Sequence, residues 1–387
     1  MKSIILATLD YPPQTGGVAT YLANLVACFP KGTMHVLAPE TKDRAAHEAD
    51  MRSETPIYRR DMLAKWIRPR WLGAWYWTRW LVKKEKPDLL IVSHLLPMGQ
   101  IARGFKKKRG IPYAVIVHGM DVALALQSGG AKRKRAKEVL GDAAIVVANS
   151  AYSAGLAESA GAPKDKIMIV RPCPSFPSYL TMTPERVAET RQKYGLDPTF
   201  TLLTLGRLVA RKGFAEAIEA VALLKEKSRT VRLIIAGDGP ERQKLQKLVE
   251  TKGVADRVGF TGKVPDEDVP ALMGATDAFV MAPKSIGADV EGFGIVYLEA
   301  NLMGKPVIGS RAGGVPEAVK DGETGILVEP GDAKAIAAAI ERLMDDPTYA
   351  SLLGEAGRRR VMEEFDWKLQ CGPFVNAVMA MGPSPKK

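Results

Sequence analysis

The stretch Glu291-Gly-Phe-Gly-Ile-Val-Tyr-Leu-Glu299 indicates how the second half of the chain folds. A glycine-rich turn leads into an apolar helix, with one acid before the turn and another inside the helix. Backbone N–H groups at the start of a helix lack partners, and the helix dipole favours anions there. The backbone N–H groups of Phe293, Gly294 and Ile295 are therefore the candidates to bind a diphosphate or sugar hydroxyls. Each carboxylate can accept a pair of ring hydroxyls. The alternative is a surface loop before an ordinary helix.

Around this motif, short apolar runs alternate with helical segments, which predicts parallel α/β architecture. The strands predicted in the second half are Thr201–Leu205, Arg232–Ala236, Val258–Thr261, Ala278–Met281, Val307–Ser310 and Gly325–Val328. Those predicted in the first half are Ile4–Leu9, Met34–Ala38, Leu89–Ser93, Tyr113–Val117 and Ala144–Ala148. The sequence therefore predicts two doubly wound domains, which place ligands at the carboxyl ends of their strands, facing a shared crevice.

The Pro- and Ser-rich segment around residues 171–183 has the composition of a linker. We place the boundary there, with domains at residues 1–178 and 179–365. An amphipathic segment, residues 366–387, follows the second set of strands. A length of 387 residues fits two domains better than one.

Composition narrows the class of protein. Hydrophobic residues make up 46% and charged residues 25%, as in a globular protein. The three cysteines, Cys28, Cys173 and Cys371, are far apart, so we expect neither disulfides nor a zinc site, and a cytoplasmic location. No apolar run approaches the roughly 20 residues of a membrane span. Oligomeric state stays open.

The positive charge is uneven. Of the net +12, residues 1–180 carry all the excess, with 27 Lys and Arg against 14 Asp and Glu. This half is therefore expected to meet an anionic partner, which could be a membrane surface, a phosphorylated substrate or nucleic acid. No nucleic-acid-binding motif is present, so we expect no nucleic-acid partner.

A basic turn follows the first strand of the second half, in Leu205-Gly-Arg-Leu-Val-Ala-Arg-Lys-Gly213. Cations at the carboxyl end of a strand can neutralise a leaving diphosphate without Mg²⁺, and Arg207 and Lys212 are the candidates. The alternative is a solvated basic turn.

Two shorter signals lie in the first half. Gly16-Gly17 opens a helix after the first strand and suits an anion, although many such turns contain two glycines. His118 follows the strand Tyr113–Val117, where it is either functional or structural. The one acidic cluster that resembles a metal site, Asp266-Glu267-Asp268, follows Pro265, and we interpret it as a helix N-cap. No metal site is expected.

Taken together, these motifs resemble the GT4 family of retaining glycosyltransferases, which have the GT-B fold. The resemblance rests on Gly16-Gly17, His118-Gly119, "GRLVARKG" at 206–213, "AGDGPER" at 236–242, "FTGKV" at 260–264 and the two acids of 291–299. The stretches "RLVARKG" and "DVEGFGIVYLEA" are most similar to bacterial phosphatidylinositol α-mannosyltransferases, which use GDP-mannose.

The resemblance implies a role for each candidate residue. Arg207 and Lys212 bind the donor diphosphate and stabilise it as the leaving group, Glu291 holds donor-sugar hydroxyls and Glu299 holds the ribose. The backbone groups named above contact the donor, and Val264 packs beside its base. His118 contacts the sugar near its C6 hydroxyl, and Gly16 and Gly17 contact the phosphates or the acceptor. The final helix crosses back to the first domain.

The expected reaction is a metal-independent, front-face transfer of a hexose from a nucleotide sugar to a lipid-linked or glycan acceptor, with no cofactor. GDP-mannose is the first choice of donor, and a UDP-sugar-dependent transferase is the alternative. Two alternatives come from other classes of protein. One is a sugar-nucleotide epimerase, and the other is a basic module that binds membranes or nucleic acid.

Residues 57–87 combine five tryptophans with nine Lys and Arg and two acids. Much of this segment is predicted to form one amphipathic helix. Its aromatic and cationic side chains suit the inner face of the cell membrane. The alternative is a core helix whose tryptophans pack inward. The tryptophans are Trp66, Trp71, Trp75, Trp77 and Trp80.

Overall fold

The computed structural model describes residues 2–14, 16–63, 68–196 and 199–382. The chain forms two compact units. The first runs to Pro172 and includes the segment that begins at Trp367, and the second is Cys173–Asp366. The division lies six residues before the predicted boundary at 178/179. In the described part of the chain, no helix is both long enough and apolar enough to cross a membrane.

The first unit contains a seven-stranded parallel sheet in the order β3-β2-β1-β4-β5-β6-β7. Its strands are β1 Ile4–Ala7, β2 Met34–Pro39, β3 Ile57–Arg60, β4 Leu89–Ser93, β5 Tyr113–Val117, β6 Ile145–Ala148 and β7 Ile167–Ile169. Its helices are α1 Gly17–Ala27, α2 Arg44–Arg52, α3 Leu72–Glu85, α4 Gln100–Arg109, α5 Met120–Gln127, α6 Gly130–Asp142 and α7 Ala151–Ser159, with the last helix of the chain, Trp367–Ala380.

The central strands β4 and β5 are apolar except at Ser93, because helices cover both faces of the sheet. Every residue of β4 and β5 is buried. The last helix completes one of the two cores, since Cys371, Phe374 and Val378 are buried in the same cluster as Leu22. The rings of Phe29 and Phe374 meet edge to face at 5.9 Å.

The second unit contains a six-stranded parallel sheet in the order β10-β9-β8-β11-β12-β13. Its strands are β8 Phe200–Leu205, β9 Val231–Ala236, β10 Val258–Gly262, β11 Ala278–Val280, β12 Val307–Ser310 and β13 Gly325–Val328. Its helices are α8 Phe176–Leu180, α9 Pro184–Lys193, α10 Phe214–Glu226, α11 Arg242–Thr251, α12 Val269–Gly274, α13 Ile295–Leu302, α14 Val315–Ala318, α15 Ala333–Asp345 and α16 Pro347–Glu364. The last helix of the chain, Trp367–Ala380, is α17.

One local prediction holds in part and another is wrong. Within residues 57–87 a single helix, α3, covers Leu72–Glu85, but Ile57–Arg60 joins the sheet as edge strand β3. Trp66 lies outside the described residues. The Asp268 carboxylate does not cap α12. It pairs with Arg186 at 2.7 Å and Lys193 at 3.2 Å, since α9 packs against α12 and brings two cations to it.

Candidate active site

The turn between β8 and α10 carries the cations of the second unit. A single 3₁₀ turn, Ala210–Lys212, ends at Gly213, whose φ is +79°. A Cβ on Gly213 would lie 2.1 Å from the Ala282 carbonyl oxygen, so only glycine allows this close approach of the turn to the end of β11. The approach brings Lys212 to the acidic loop before α13.

Glu291 is the centre of this cluster. Its Oε2 atom lies 2.7 Å from Lys212 Nζ and 2.5 Å from Arg211 Nη1, and its side chain is only 11% exposed. Arg211 also contacts Asp289 at 2.7 Å through Nε. Burial alone would raise the pKa of Glu291, but the charges and hydrogen bonds of Lys212 and Arg211 outweigh it and hold that pKa at about 2. Glu291 is therefore ionised at neutral pH.

Glycines from two loops shape the cradle around Glu291. Gly313 and Gly314, which lie after β12, pack tightly against the backbone of residues 291–292. A Cβ on Gly313 would lie 2.2 Å from the Glu291 carbonyl oxygen, and one on Gly314 would lie 2.1 Å from that of Gly292. The Gly314 N–H donates to the Glu291 carbonyl at 2.9 Å. Gly294, with φ +92°, lies over the Tyr297 ring at the start of α13. The backbone of this loop is therefore fixed by close packing.

The predicted backbone donors lie at this helix start. Gly294 is the N-cap of α13 and Ile295 its first residue. Phe293 is 2% exposed, and its ring packs 6.0 Å from Phe365. The N–H groups of a first helical turn have no partner within the helix. The predicted N–H donors therefore lie at the start of α13, two to four residues after Glu291.

Glu299 lies inside α13, where it is partly buried. It accepts a hydrogen bond from Tyr179 of α8, which is 8% exposed. Burial raises the pKa of Glu299 to about 7. The bond from Tyr179 and the charge of Lys212 oppose this shift, and Asp266 reinforces it. Lys212 thus acts on both carboxylates, one fully ionised and one titrating near neutrality.

Two further residues predicted to bind the donor follow strands β8 and β10. Arg207 is exposed two residues after the end of β8, and the arginine that contacts Glu291 is Arg211. Val264, two residues beyond β10, is 8% exposed. The structure therefore places Lys212 in contact with Glu291, and the charge of Lys212 also acts on Glu299. The sequence analysis missed Arg211, Tyr179 and the Gly313-Gly314 pair, although two glycines directly after a strand are a usable signal.

The first unit holds a second polar cluster at the carboxyl ends of β1, β4 and β5. His118 Nε2 lies 2.9 Å from Ser93 Oγ, and the His118 N–H donates to Asp121 at 3.0 Å. Burial lowers the pKa of His118 to about 4, although Asp121 opposes the shift, so this imidazole is neutral at pH 7. Gly16 is the N-cap of α1 and Gly17 its first residue, with open space where their side chains would be.

An ion pair that the sequence analysis missed lies in the same cluster. His94 Nε2 is 3.0 Å from Asp10 Oδ2. Burial would lower the pKa of His94, but the hydrogen bond and charge of Asp10, with the charge of Asp121, raise it overall. The bond from His94 lowers the pKa of Asp10. The sequence signal was the position of both residues directly after predicted strands.

Comparisons with known proteins agree with this fold. The model of Glycosyltransferase Family 4 matches residues 15–173, and that of Glycosyl transferases group 1 matches residues 187–360. The chain is 31% identical to the GDP-mannose-dependent alpha-(1-6)-phosphatidylinositol monomannoside mannosyltransferase of Mycolicibacterium smegmatis, over 94% of this chain and 95% of that enzyme. It is 30% identical to the 2-deoxystreptamine glucosyltransferase of Streptomyces kanamyceticus, over 77% and 79% of the two chains.

Among solved structures, Anabaena HepE in complex with UDP-glucose superposes with a TM-score of 0.82 at 21% identity, over 97% of this chain and all of that one. The fold and these similarities define a glycosyltransferase. The chain belongs to glycosyltransferase family 4, and its two Rossmann-like units have the GT-B fold. The predictions of family 4, of the GT-B fold and of glycosyltransferase activity are confirmed.

Proposed function

We propose that this glycosyltransferase transfers mannose from GDP-mannose to a lipid-linked or glycan acceptor with retention of the anomeric configuration and without a metal ion. The observation that carries the proposal is the contact of Lys212 and Arg211 with Glu291 beneath the glycine cradle. The similarity to a mannosyltransferase along nearly the whole chain supports the choice of donor.

In the proposed complex, the donor diphosphate takes over Lys212, which now contacts Glu291, and is joined by Arg207. Lys212 supplies a point charge, and Arg207, which is exposed, supplies a planar fork of donors. Glu291 then accepts the donor-sugar hydroxyls, and Glu299 accepts those of the ribose. The N–H groups of Phe293, Gly294 and Ile295 contact the donor. Val264 packs beside the base.

The proposed reaction is front-face. The acceptor hydroxyl attacks the anomeric carbon on the side from which the nucleotide departs, and the departing phosphate oxygen takes the hydroxyl proton. Charge develops on the leaving diphosphate, so catalysis is mainly positioning and charge stabilisation by Arg207 and Lys212. In the first unit, Gly16, Gly17 and the neutral His118 contact the donor or acceptor in this proposal.

A direct test uses GDP-mannose with and without vesicles that contain phosphatidylinositol monomannoside. We expect GDP release that depends on the acceptor, together with a mannosylated lipid whose new linkage is α. Donor consumption that is independent of the acceptor would point to an epimerase or a hydrolase, and a β linkage would contradict retention.

A UDP-sugar-dependent glucosyltransferase is the second candidate, because a 30% identical relative transfers glucose. A ligand that binds the folded state raises its melting temperature by mass action. Melting curves with GDP-mannose, UDP-glucose and ADP-glucose at equal concentrations therefore discriminate the two. A larger shift with UDP-glucose than with GDP-mannose would replace the first proposal by the second.

The pH dependence of donor binding tests the role of Glu299. The pKa of this carboxyl is about 7 in the free protein, and ribose hydroxyls donate to its ionised form. Binding therefore releases a proton below pH 7. We expect the affinity for GDP-mannose to weaken about fivefold between pH 7 and pH 6, and to level off above pH 8. Calorimetric titrations at pH 6, 7 and 8 measure this.

Two variants sharpen that test. Glu299→Gln removes the titrating group, so the affinity should be weak and almost independent of pH. Tyr179→Phe removes a hydrogen bond that lowers the pKa of Glu299, so the midpoint should move to higher pH. A wild-type affinity that does not change between pH 6 and pH 8 would remove Glu299 from the donor site.

The basic half of the protein is proposed to lie on the inner face of the cell membrane. Trp71 and Trp75 line an apolar groove of about 280 Å³ between α3 and α4, with Lys108 at its edge. Trp77 and Trp80, by contrast, pack half-buried against Arg60, with 4.9 and 5.0 Å from its guanidinium carbon to the ring centroids. The segment thus combines core packing with an open aromatic groove beside cations.

Vesicle binding tests this face. Lys107 and Lys108 are exposed on α4, and a lysine near an anionic surface contributes about 1 kcal/mol. Replacing both with Ala should weaken partition into phosphatidylglycerol vesicles roughly thirtyfold. Lys244→Ala with Lys247→Ala, two exposed lysines of α11, is the control. Equal partition into neutral and anionic vesicles would contradict a membrane-facing role.

A further inference from the structure

The polar cluster of the first unit lies at the point where a doubly wound sheet binds ligands. In the sheet, β4 lies between β1 and β5. The chain runs from β1 outward to β2 and β3 on one side, and then crosses over to β4 on the other side of β1. The crevice outside such a switch point is the usual ligand site of an open α/β sheet. Asp10 follows β1, His94 follows β4 and His118 follows β5.

The backbone at His94 is strained. Its φ and ψ angles are 76° and 126°, a region that a residue with a Cβ rarely adopts. Such strain persists where the surroundings over-determine it, and it is concentrated at functional sites. Asp121 supplies that constraint, since its two carboxylate oxygens accept the N–H groups of His118 at 3.0 Å and Leu95 at 2.9 Å.

This conformation aims the His94 ring at Asp10. Nε2 lies 3.0 Å from Asp10 Oδ2, and Nδ1 lies 3.4 Å from Ser93 Oγ. Both ring nitrogens therefore have partners, and the imidazole itself has no nitrogen left for a ligand. The ring is 5.6 Å from that of His118, between centroids, and Asp121 is the other charge that acts on it.

Asp10 is the accessible member of the pair. Its side chain is 41% exposed, and within the described residues Oδ1 has no hydrogen-bond partner. One oxygen of the Asp10 carboxylate is thus fixed by His94, and the other is available to accept a hydrogen bond from a ligand. A fixed carboxylate accepts hydrogen bonds from hydroxyl groups and repels phosphate.

We propose that Asp10 binds the acceptor, with Oδ1 accepting a hydrogen bond from a hydroxyl of its sugar or cyclitol ring, and that His94 is the positioning residue that holds Asp10 in place. This inference rests on the proposed function, because it assigns a residue to the acceptor of that reaction. It adds that the hydroxylated ring of the acceptor, and not a phosphate, lies against β1 and β4.

The test measures KM for both substrates. The probes are GDP-mannose with vesicles of phosphatidylinositol monomannoside, and GDP-mannose with octyl α-mannoside. Asp10→Asn should raise the acceptor KM about tenfold or more, as expected for a hydrogen bond to a charged group, while the donor KM stays within about twofold. Glu48→Gln, an exposed acid of α2, is the control.

His94→Gly separates positioning from structure, because glycine relieves the backbone strain while it removes the ring. We expect a similar rise in acceptor KM without a fall in melting temperature. The wild-type acceptor KM should also rise as pH increases past the raised pKa of His94, and His94→Gly should lose this dependence. His47→Gln, an exposed histidine of α2, is the matched control.

The outcomes are distinct. An unchanged acceptor KM in Asp10→Asn, or an equal rise in donor KM, would overturn the assignment. A lower melting temperature in His94→Gly with unchanged KM values would reduce the ion pair to a structural role. No transfer to either probe, with donor binding retained, would also overturn the assignment. No donor binding by the wild type would instead overturn the proposed function.

Discussion

Lys212→Ala is expected to lower the turnover number for sugar transfer by about a hundredfold to a thousandfold, which corresponds to roughly 2.7–4 kcal/mol in the barrier. Lys212 contacts Glu291 at 2.7 Å, and its charge also acts on Glu299, so its loss removes a cation that acts on both carboxylates. Arg207→Ala should have an effect of the same size if the exposed guanidinium binds the leaving diphosphate. Steady-state kinetics with saturating donor and acceptor measure both.

Lys244→Ala provides the control, because Lys244 is an exposed lysine of the same unit and its side chain is 77% exposed. It should turn over at the wild-type rate. All three variants should keep the wild-type circular dichroism spectrum. Turnover within a few-fold of the wild type in Lys212→Ala would remove this lysine from the mechanism, and the proposed charge stabilisation with it.

Gly313→Ala is expected to lower transfer by a similar factor, for a steric reason. The new Cβ would lie 2.2 Å from the Glu291 carbonyl oxygen, where contacts under 3.0 Å essentially never occur. The acidic loop must therefore move by about 1 Å, and a misplacement of that size can cost on the order of a hundredfold in rate. The free energy of unfolding should also fall by about 1–3 kcal/mol beyond the backbone strain.

Gly253→Ala is the control that separates the cost of left-handed backbone strain from the steric clash of the new methyl group. Gly253 has φ +63°, close to the +56° of Gly313, but open space surrounds its missing side chain. Both variants incur the same left-handed backbone cost of about 1–2 kcal/mol. Chemical denaturation measures the free energy of unfolding of the two glycine variants, and steady-state kinetics measure their turnover numbers. Equal activity and stability in the two variants would show that the loop yields freely and that the cradle does not position Glu291.

The sequence predicted the second sheet well because its strands are short apolar runs separated by helices. All six strands β8–β13 were anticipated, with ends shifted by at most a few residues. In the first unit, β3 and β7 were missed. The residues of β3, Ile57-Tyr58-Arg59-Arg60, are half-buried at a sheet edge and carry two cations, whereas β7 has only three residues. Edge strands lack the continuous apolar signal of strands covered on both faces.

The candidate site could be predicted where its residues are close together in the sequence. It could not be predicted where strand pairing brings distant segments of the chain together. The carboxylates and backbone donors of residues 291–299 lie on one continuous stretch, so their spacing was visible. Arg211 could not be chosen over Arg207, because the direction of each side chain depends on the approach of Gly213 to Ala282. Asp10 and His94 meet only because β1 lies beside β4.

The position of α17 has a consequence for biosynthesis. The core of the first unit needs Phe374 and Val378, yet the whole second unit is translated before them. At usual rates of translation, this interval lasts on the order of 10–40 s. The continuous second unit can therefore fold on the ribosome while the amino-terminal half still exposes an unfinished apolar surface. Chaperones that recognise nascent chains are expected to engage residues of that half throughout this interval.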